Sequence, residues 1–135
     1  MENEGIHARI FVVDDDKEMA DATRRVLVRT GYDVEVFLDG RLAIEEIRKQ
    51  KPDLILMDLM MPDFGGDEAI RELKKDPDSA EIPIIVITGV LSSGEYMEMT
   101  RIAVDGRAYK SLCKPYNSDE LLRLVKESLW RMERH

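Results

Sequence analysis

Three aspartates stand where apolar runs end. Asp58 follows Leu54-Ile55-Leu56-Met57 and precedes Leu59-Met60-Met61-Pro62, while Asp14 and Asp15 follow Ile10-Phe11-Val12-Val13. If both runs are buried strands, the three carboxylates emerge at the carboxyl end of one sheet, the edge where open α/β sheets bind ligands. Charges close to a core are rare unless paired or bound to metal. Three acids at one edge therefore imply a cation site, and a cation beside an aspartate implies phosphoryl chemistry. Oxygen-only donors favour Mg²⁺, which uses one or two carboxylates and keeps several waters. Two further strand ends extend the set. Thr88 follows Ile84-Ile85-Val86-Ile87 with a hydroxyl, and Lys114 follows a run near Ala108 to Leu112 and precedes Pro115. An ammonium there offsets the repulsion among the acids and can hold a phosphoryl oxygen. Asp58 is then a nucleophile toward phosphorus, with lysine and metal neutralising the equatorial oxygens during in-line transfer.

The elements that must position these residues alternate along the chain. Arg9 to Val13 reads as a strand, and Asp16 is placed to cap a helix from about Lys17 to Thr30 that stops at Gly31. Asp33 to Phe37 alternates like a strand nearer an edge. Gly40 to Gln50 has helical period, and Asp53 to Met57 is the central strand. Gly65-Gly66 marks a turn before a helix bearing Ala69, Ile70 and Leu73; Pro77 and Pro83 bracket a loop before the strand Ile84 to Ile87. A helix around Glu95 to Val104 is expected next, then the strand near Ala108 to Leu112. The last helix starts near Asn117, with Glu120 placed for a capping box, and runs to Met132. Five strands alternating with five helices imply a parallel sheet covered on both faces.

Composition narrows the function classes. The 135 residues fit one domain, and a net charge of −8 disfavours nucleic acid and anionic lipid alike. No apolar stretch approaches the roughly 20 residues of a membrane span. The amino end has no signal-peptide pattern, and Cys113, the sole cysteine, makes an internal disulfide impossible. A cytoplasmic location is expected. Acids at the first turn exclude the glycine-rich pyrophosphate loop of a Rossmann domain, and no P-loop signature occurs.

The runs VVDDD, PDLILMDLMMP, VIT and CKP, in this order and spacing, resemble the receiver domain of two-component response regulators. Each run alone is weak; the four together are specific. The resemblance covers about Arg9 to Trp130, with the domain placed at residues 9–132, an amino-terminal extension at 1–8 and a tail at 133–135. It implies a flavodoxin-like (βα)5 sandwich with strand order 2-1-3-4-5. By motif position, Asp58 matches the phosphoacceptor, served by a sensor histidine kinase or a histidine phosphotransfer protein. Asp14 and Asp15 match the acidic pair, with Asp15 the more direct ligand of Mg²⁺, and Met60 the residue whose backbone carbonyl completes the metal shell. Thr88 matches the switch hydroxyl and Lys114 the phosphoryl-contacting lysine, whose bond to Pro115 is cis in the family. The implied function is a signalling module with no output domain of its own, read by a downstream protein partner. Such a module is not a conventional enzyme: it catalyses its own phosphorylation and dephosphorylation. The alternative is a vestigial receiver serving as a phosphorylation-independent interaction module. An aspartyl-phosphate hydrolase would want a second acid two residues after the nucleophile, where Met60 stands.

Three positions depart from the family pattern. Ser111 stands where the family usually carries Tyr or Phe. Tyr109 shares its strand face by period-two alternation; it either substitutes for that aromatic or, by the simpler reading, fills the core. The interval from Thr88 to Lys114 is longer than the norm by about one helical turn, and Gly65 stands where Asp is common. Asp53 and Asp63 read as strand-entry and turn residues without catalytic roles, and Asp16 reads as a cap. Helical period leaves Trp130 facing either a partner or the sheet.

Overall fold

Strand alternation sorts the apolar side chains onto two faces. The computed structural model describes residues 7–62, 64–89, 101–104 and 106–130. Asp63, the start of the helix expected at Glu95 and the chain ends lie outside them. β1 (Arg9–Val13), β2 (Asp33–Phe37), β3 (Leu54–Asp58), β4 (Ile84–Thr88) and β6 (Arg107–Cys113) run parallel. Phe11, Val13, Ile55, Met57, Ile84 and Val86 face one core; Ile10, Val12, Leu54, Leu56, Ile85 and Ile87 face the other. Near-continuous apolar runs are what strands buried on both faces require.

Helices cover both faces. α2 (Gly40–Gln50) and α3 (Gly66–Lys75) bring Ala43, Ile44, Ile47, Ala69, Ile70 and Leu73 to the first core. α1 (Lys17–Thr30) and α5 (Ser118–Ser128) bring Ala20, Leu27, Leu121, Leu124 and Val125 to the second. The caps are local. Asp16 Oδ1 accepts from the Met19 amide at 3.2 Å and Asn117 Oδ1 from the Glu120 amide at 2.8 Å. Gly31 ends α1 at φ 109°, a conformation glycine adopts without a Cβ penalty. Asp53 Oδ2 accepts from the Arg9 amide at 2.8 Å, so this acid ties strand entries together on the edge opposite the acidic cluster. Inside the proline-bracketed loop a short helix α4 (Pro77–Ala80) forms, its first turn capped by Asp76.

The sheet differs from expectation at one edge. The parallel strands follow the implied order 2-1-3-4-5, but a sixth strand, β5 (Arg101–Val104), pairs antiparallel with β6 to give β2-β1-β3-β4-β6-β5. The end of the helix expected at Glu95 to Val104 is therefore strand. Arg-Ile-Ala-Val carries β-branched residues, and Asp105-Gly106 is a hairpin signal, with Gly106 at φ 80°. A short apolar run does not distinguish helix from strand by period alone. Among the described residues no helix is long and apolar enough to cross a membrane.

Candidate functional site

Each chemical residue sits at or just beyond a strand end, held there by the ladder continuing one bond further. The Asp14 amide donates to the Phe37 carbonyl at 3.0 Å, the Leu59 amide to Ile87 at 2.9 Å, and the Lys114 amide to Thr88 at 2.8 Å. These bonds bring the ends of β1, β3, β4 and β6 to one edge. Asp14, Asp15 and Asp58 each offer an oxygen there, all within 4.8 Å of one another. Asp14 and Asp58 are buried, whereas Asp15 is exposed.

The lysine closes the cluster. Lys114 Nζ lies 3.1 Å from Asp14 Oδ1 and 3.1 Å from Asp58 Oδ2, donating to both. The carboxylates also take backbone amides. Asp58 Oδ1 accepts from the Met60 amide and Asp14 Oδ1 from the Asp16 amide, each at 2.9 Å. Asp14 Oδ2 is 3.1 Å from the ammonium but not aligned for a hydrogen bond, leaving this buried oxygen without a hydrogen-bond partner. Buried acceptors are nearly always satisfied, so an unpartnered oxygen beside two more carboxylates is suited to a cation. An all-oxygen donor set fits a hard divalent ion such as Mg²⁺.

The electrostatics express the same crowding. Burial, opposed by the Asp16 amide and reinforced by the neighbouring Asp58, pushes Asp14 up to about 6. Burial works to lower Lys114, but bonds and charges from Asp14 and Asp58 outweigh it and raise it above the ordinary lysine value. The lysine is therefore held as a cation between two acids.

Other sequence candidates fall less centrally. Thr88 is buried at the neighbouring strand end, with its hydroxyl donating to the Gly89 carbonyl at 3.2 Å rather than to the acids. The Met60 side chain is exposed, and its amide, not its thioether, meets Asp58. The Lys114–Pro115 peptide is cis. Cys113 is half-buried on β6, its thiol 3.4 Å from the Gly89 carbonyl. Ser111 is half-buried and opposite Val86 in register. Tyr109 lies in the first core with Lys74 Nζ 5.7 Å above its ring, the core-filling position. Trp130 is largely exposed, on the outer side of the choice that periodicity left open.

Two supporting features were not singled out from sequence. Gly66 abuts the Asp58 backbone: a Cβ there would lie 2.3 Å from the Asp58 carbonyl oxygen. The Gly65-Gly66 pair signalled a turn but not this close approach. Tyr116 Oη and Thr23 Oγ1 are 2.7 Å apart, tying the segment after Lys114 to α1. No local period marks such a bond.

Comparison with known proteins agrees with this geometry. A sequence profile of the response regulator receiver domain matches residues 10–126. The response regulator MprA of Mycolicibacterium vanbaalenii is 39% identical over 124 residues, covering 91% of this chain and 51% of that protein. The chain thus spans about half the length of the curated relatives it matches. The chemotaxis protein CheY4 of Vibrio cholerae superposes with a TM-score of 0.78 at 27% identity, covering 92% of this chain and 100% of that one. The receiver domain of a sensor histidine kinase from Pseudomonas aeruginosa, solved with a magnesium ion in its active site cleft, gives 0.78 at 26% identity, covering 92% and 98%. With that profile spanning most of the chain, the chain belongs to the response regulator receiver domain family of two-component systems.

Proposed function

We propose that Asp58 accepts a phosphoryl group from a histidine kinase or a histidine phosphotransfer protein, and that a protein partner reads the modified domain. The observation that carries this reading is the buried Asp58 carboxylate, fixed through one oxygen by the Met60 amide and through the other by Lys114. An Asp58 oxygen forms the bond to phosphorus as the phosphorus–nitrogen bond of phosphohistidine breaks. The imidazole nitrogen leaves with the electron pair and takes a proton from solvent. In this reading Lys114 shifts from Asp58 to a phosphoryl oxygen, and the Thr88 hydroxyl exchanges the Gly89 carbonyl for another.

Asp14, Asp15, Asp58 and the Met60 carbonyl are the groups that would hold Mg²⁺. When bound, that ion supplies charge neutralisation for the transferring phosphoryl oxygens. The orphaned Asp14 Oδ2 supports this assignment. Hydrolysis of the aspartyl phosphate by water returns the domain to its resting state, so the chain catalyses its own modification rather than turning over an external substrate. The domain is proposed to act in the cytoplasm, where such donors are available.

Intact-protein mass after incubation with acetyl phosphate and Mg²⁺ tests the proposal. One added phosphoryl group in the wild type, absent from Asp58→Asn, is the expected result. Absence of label together with absence of metal-dependent beryllofluoride binding would instead identify a vestigial interaction module. Clear beryllofluoride binding without label would mean a competent site that requires its own kinase or loses phosphate quickly.

A further inference from the structure

A basic groove interrupts this acidic chain. The sequence holds 28 acidic against 20 basic residues. Yet a groove of about 340 Å³ between α3 and the β5–β6 hairpin is lined, among the described residues, by four basic side chains and no acid. Its floor is Ile70, Val104 and Tyr109, and its rim includes Arg71, Lys74 and Arg107. It lies on the α3 face, away from the acidic cluster.

The rim charges are unevenly compensated. Arg71 pairs with Asp67 on its own helix at 3.3 Å. Arg107 has no carboxylate partner among the described residues, and Lys74 donates to a neutral acceptor, the Ala80 carbonyl, at 2.7 Å. Burial and the nearby Arg107 charge both lower Lys74 from its ordinary value, with Glu81 opposing them. Two cations facing one another across an apolar floor attract an anion more strongly than either would alone.

The form of the groove selects the kind of anion. Its donors are long side chains on a rim, with no helix amino terminus or cluster of buried amides of the kind that cradles a phosphate. Its apolar floor is shallow, with Tyr109 7% and Val104 6% exposed, so it offers contact to an apolar side chain laid across it rather than a pocket for one. We infer that this groove docks an acidic segment of a partner protein, with an apolar side chain on Tyr109 and Val104 and flanking carboxylates on Lys74 and Arg107. The inference does not depend on chemistry at Asp58.

The test is titration of the ¹⁵N-labelled chain with a short peptide alternating glutamate with leucine and phenylalanine. A glutamine-substituted peptide and inorganic phosphate serve as controls. The expected result is saturable shifts at Val104, Arg107 and Tyr109, weakened by salt, with affinity falling roughly tenfold in Arg107→Glu and again in Lys74→Gln. Acetyl phosphate labelling of Asp58 is expected to be unchanged in Arg107→Glu, and peptide binding unchanged in Asp58→Asn. Failure of the groove and failure of the phosphorylation reading are therefore separable. Four results would overturn the inference. They are no shifts, equal binding of the glutamine peptide, the same shifts with phosphate alone, and binding that emerges only when Glu95 and Glu98 are changed to Gln. That last result would mean that the chain's own segment competes for the groove.

Discussion

Thr23 Oγ1 and Tyr116 Oη share a hydrogen bond of 2.7 Å across 93 residues of sequence. Thr23 is buried on α1, the helix that starts just after the acidic pair, and Tyr116 stands two residues beyond Lys114. The bond therefore braces the loop carrying the ammonium against the element that follows Asp14 and Asp15. Burial, partly offset by Thr23, raises the Tyr116 hydroxyl above the usual tyrosine value, so it is held protonated. Removing either hydroxyl leaves the other short of a partner, at a cost of about 1–3 kcal/mol, whereas removing both costs less than the sum. Denaturant unfolding of Tyr116→Phe, Thr23→Val and the double variant is predicted to show that non-additivity. Additive losses would mean that the two groups act separately.

Asp14 carries a pH signature. Its folded pKa of about 6 exceeds the ordinary 3.8, so between those values the native state binds more protons than the unfolded chain. Stability from this group is therefore fully present below the unfolded value and is lost as pH rises through about 6, by on the order of 3 kcal/mol. In chelator, Asp14→Asn is predicted to stabilise the domain more at about pH 7.5 than at about pH 5. The same protonation competes with metal, so Mg²⁺ affinity is predicted to weaken as pH falls below about 6. A pH-independent effect of the substitution on unfolding would sink this account.

The parallel sheet and the acidic cluster were legible because both obey short-range rules. Apolar runs of strand length bounded by turn residues placed Asp14, Asp58 and Thr88 at strand ends, and the ladder does hold them there. What escaped was set by tertiary structure. Arg101–Val104 is too short for its period to choose between helix and strand, and only pairing with β6 decides it. Thr23 reads as an ordinary helix residue until Tyr116 arrives from the far end of the chain. Tyr109 and Ser111 do share a strand face, as alternation required, but only packing puts Tyr109 in the core beneath Lys74.

Gly66 is predicted to tolerate no side chain. A Cβ would stand 2.3 Å from the Asp58 carbonyl and 2.8 Å from the Leu59 Cα, both backbone atoms that cannot rotate away. Gly66→Ala must displace the segment that carries Asp58 and the Met60 amide. Overpacking of this kind costs about 1–3 kcal/mol, and the displaced carboxylate should take up phosphate more slowly from a small donor. Gly65→Ala serves as the comparison, because its tightest contact, at 2.8 Å, is an Asp67 carboxylate oxygen on a side chain able to move. Equal labelling rates in the two variants would show that the Gly66 contact does not position Asp58.

Asp15→Ala is predicted to separate metal binding from folding. It is the exposed member of the three-acid group and makes no hydrogen bond or ion pair among the described residues. Asp15→Ala should therefore change metal-free stability by no more than about 0.5 kcal/mol, as surface substitutions usually do. With one of three carboxylates gone, Mg²⁺ affinity is predicted to fall at least tenfold, since the remaining oxygens must also satisfy Lys114. Phosphoryl uptake at Asp58 should fall with it. Calorimetric Mg²⁺ titration alongside unfolding in chelator measures both quantities on one sample. Unchanged affinity with unchanged stability would remove Asp15 from the metal site and leave Asp14 and Asp58 as its only carboxylates.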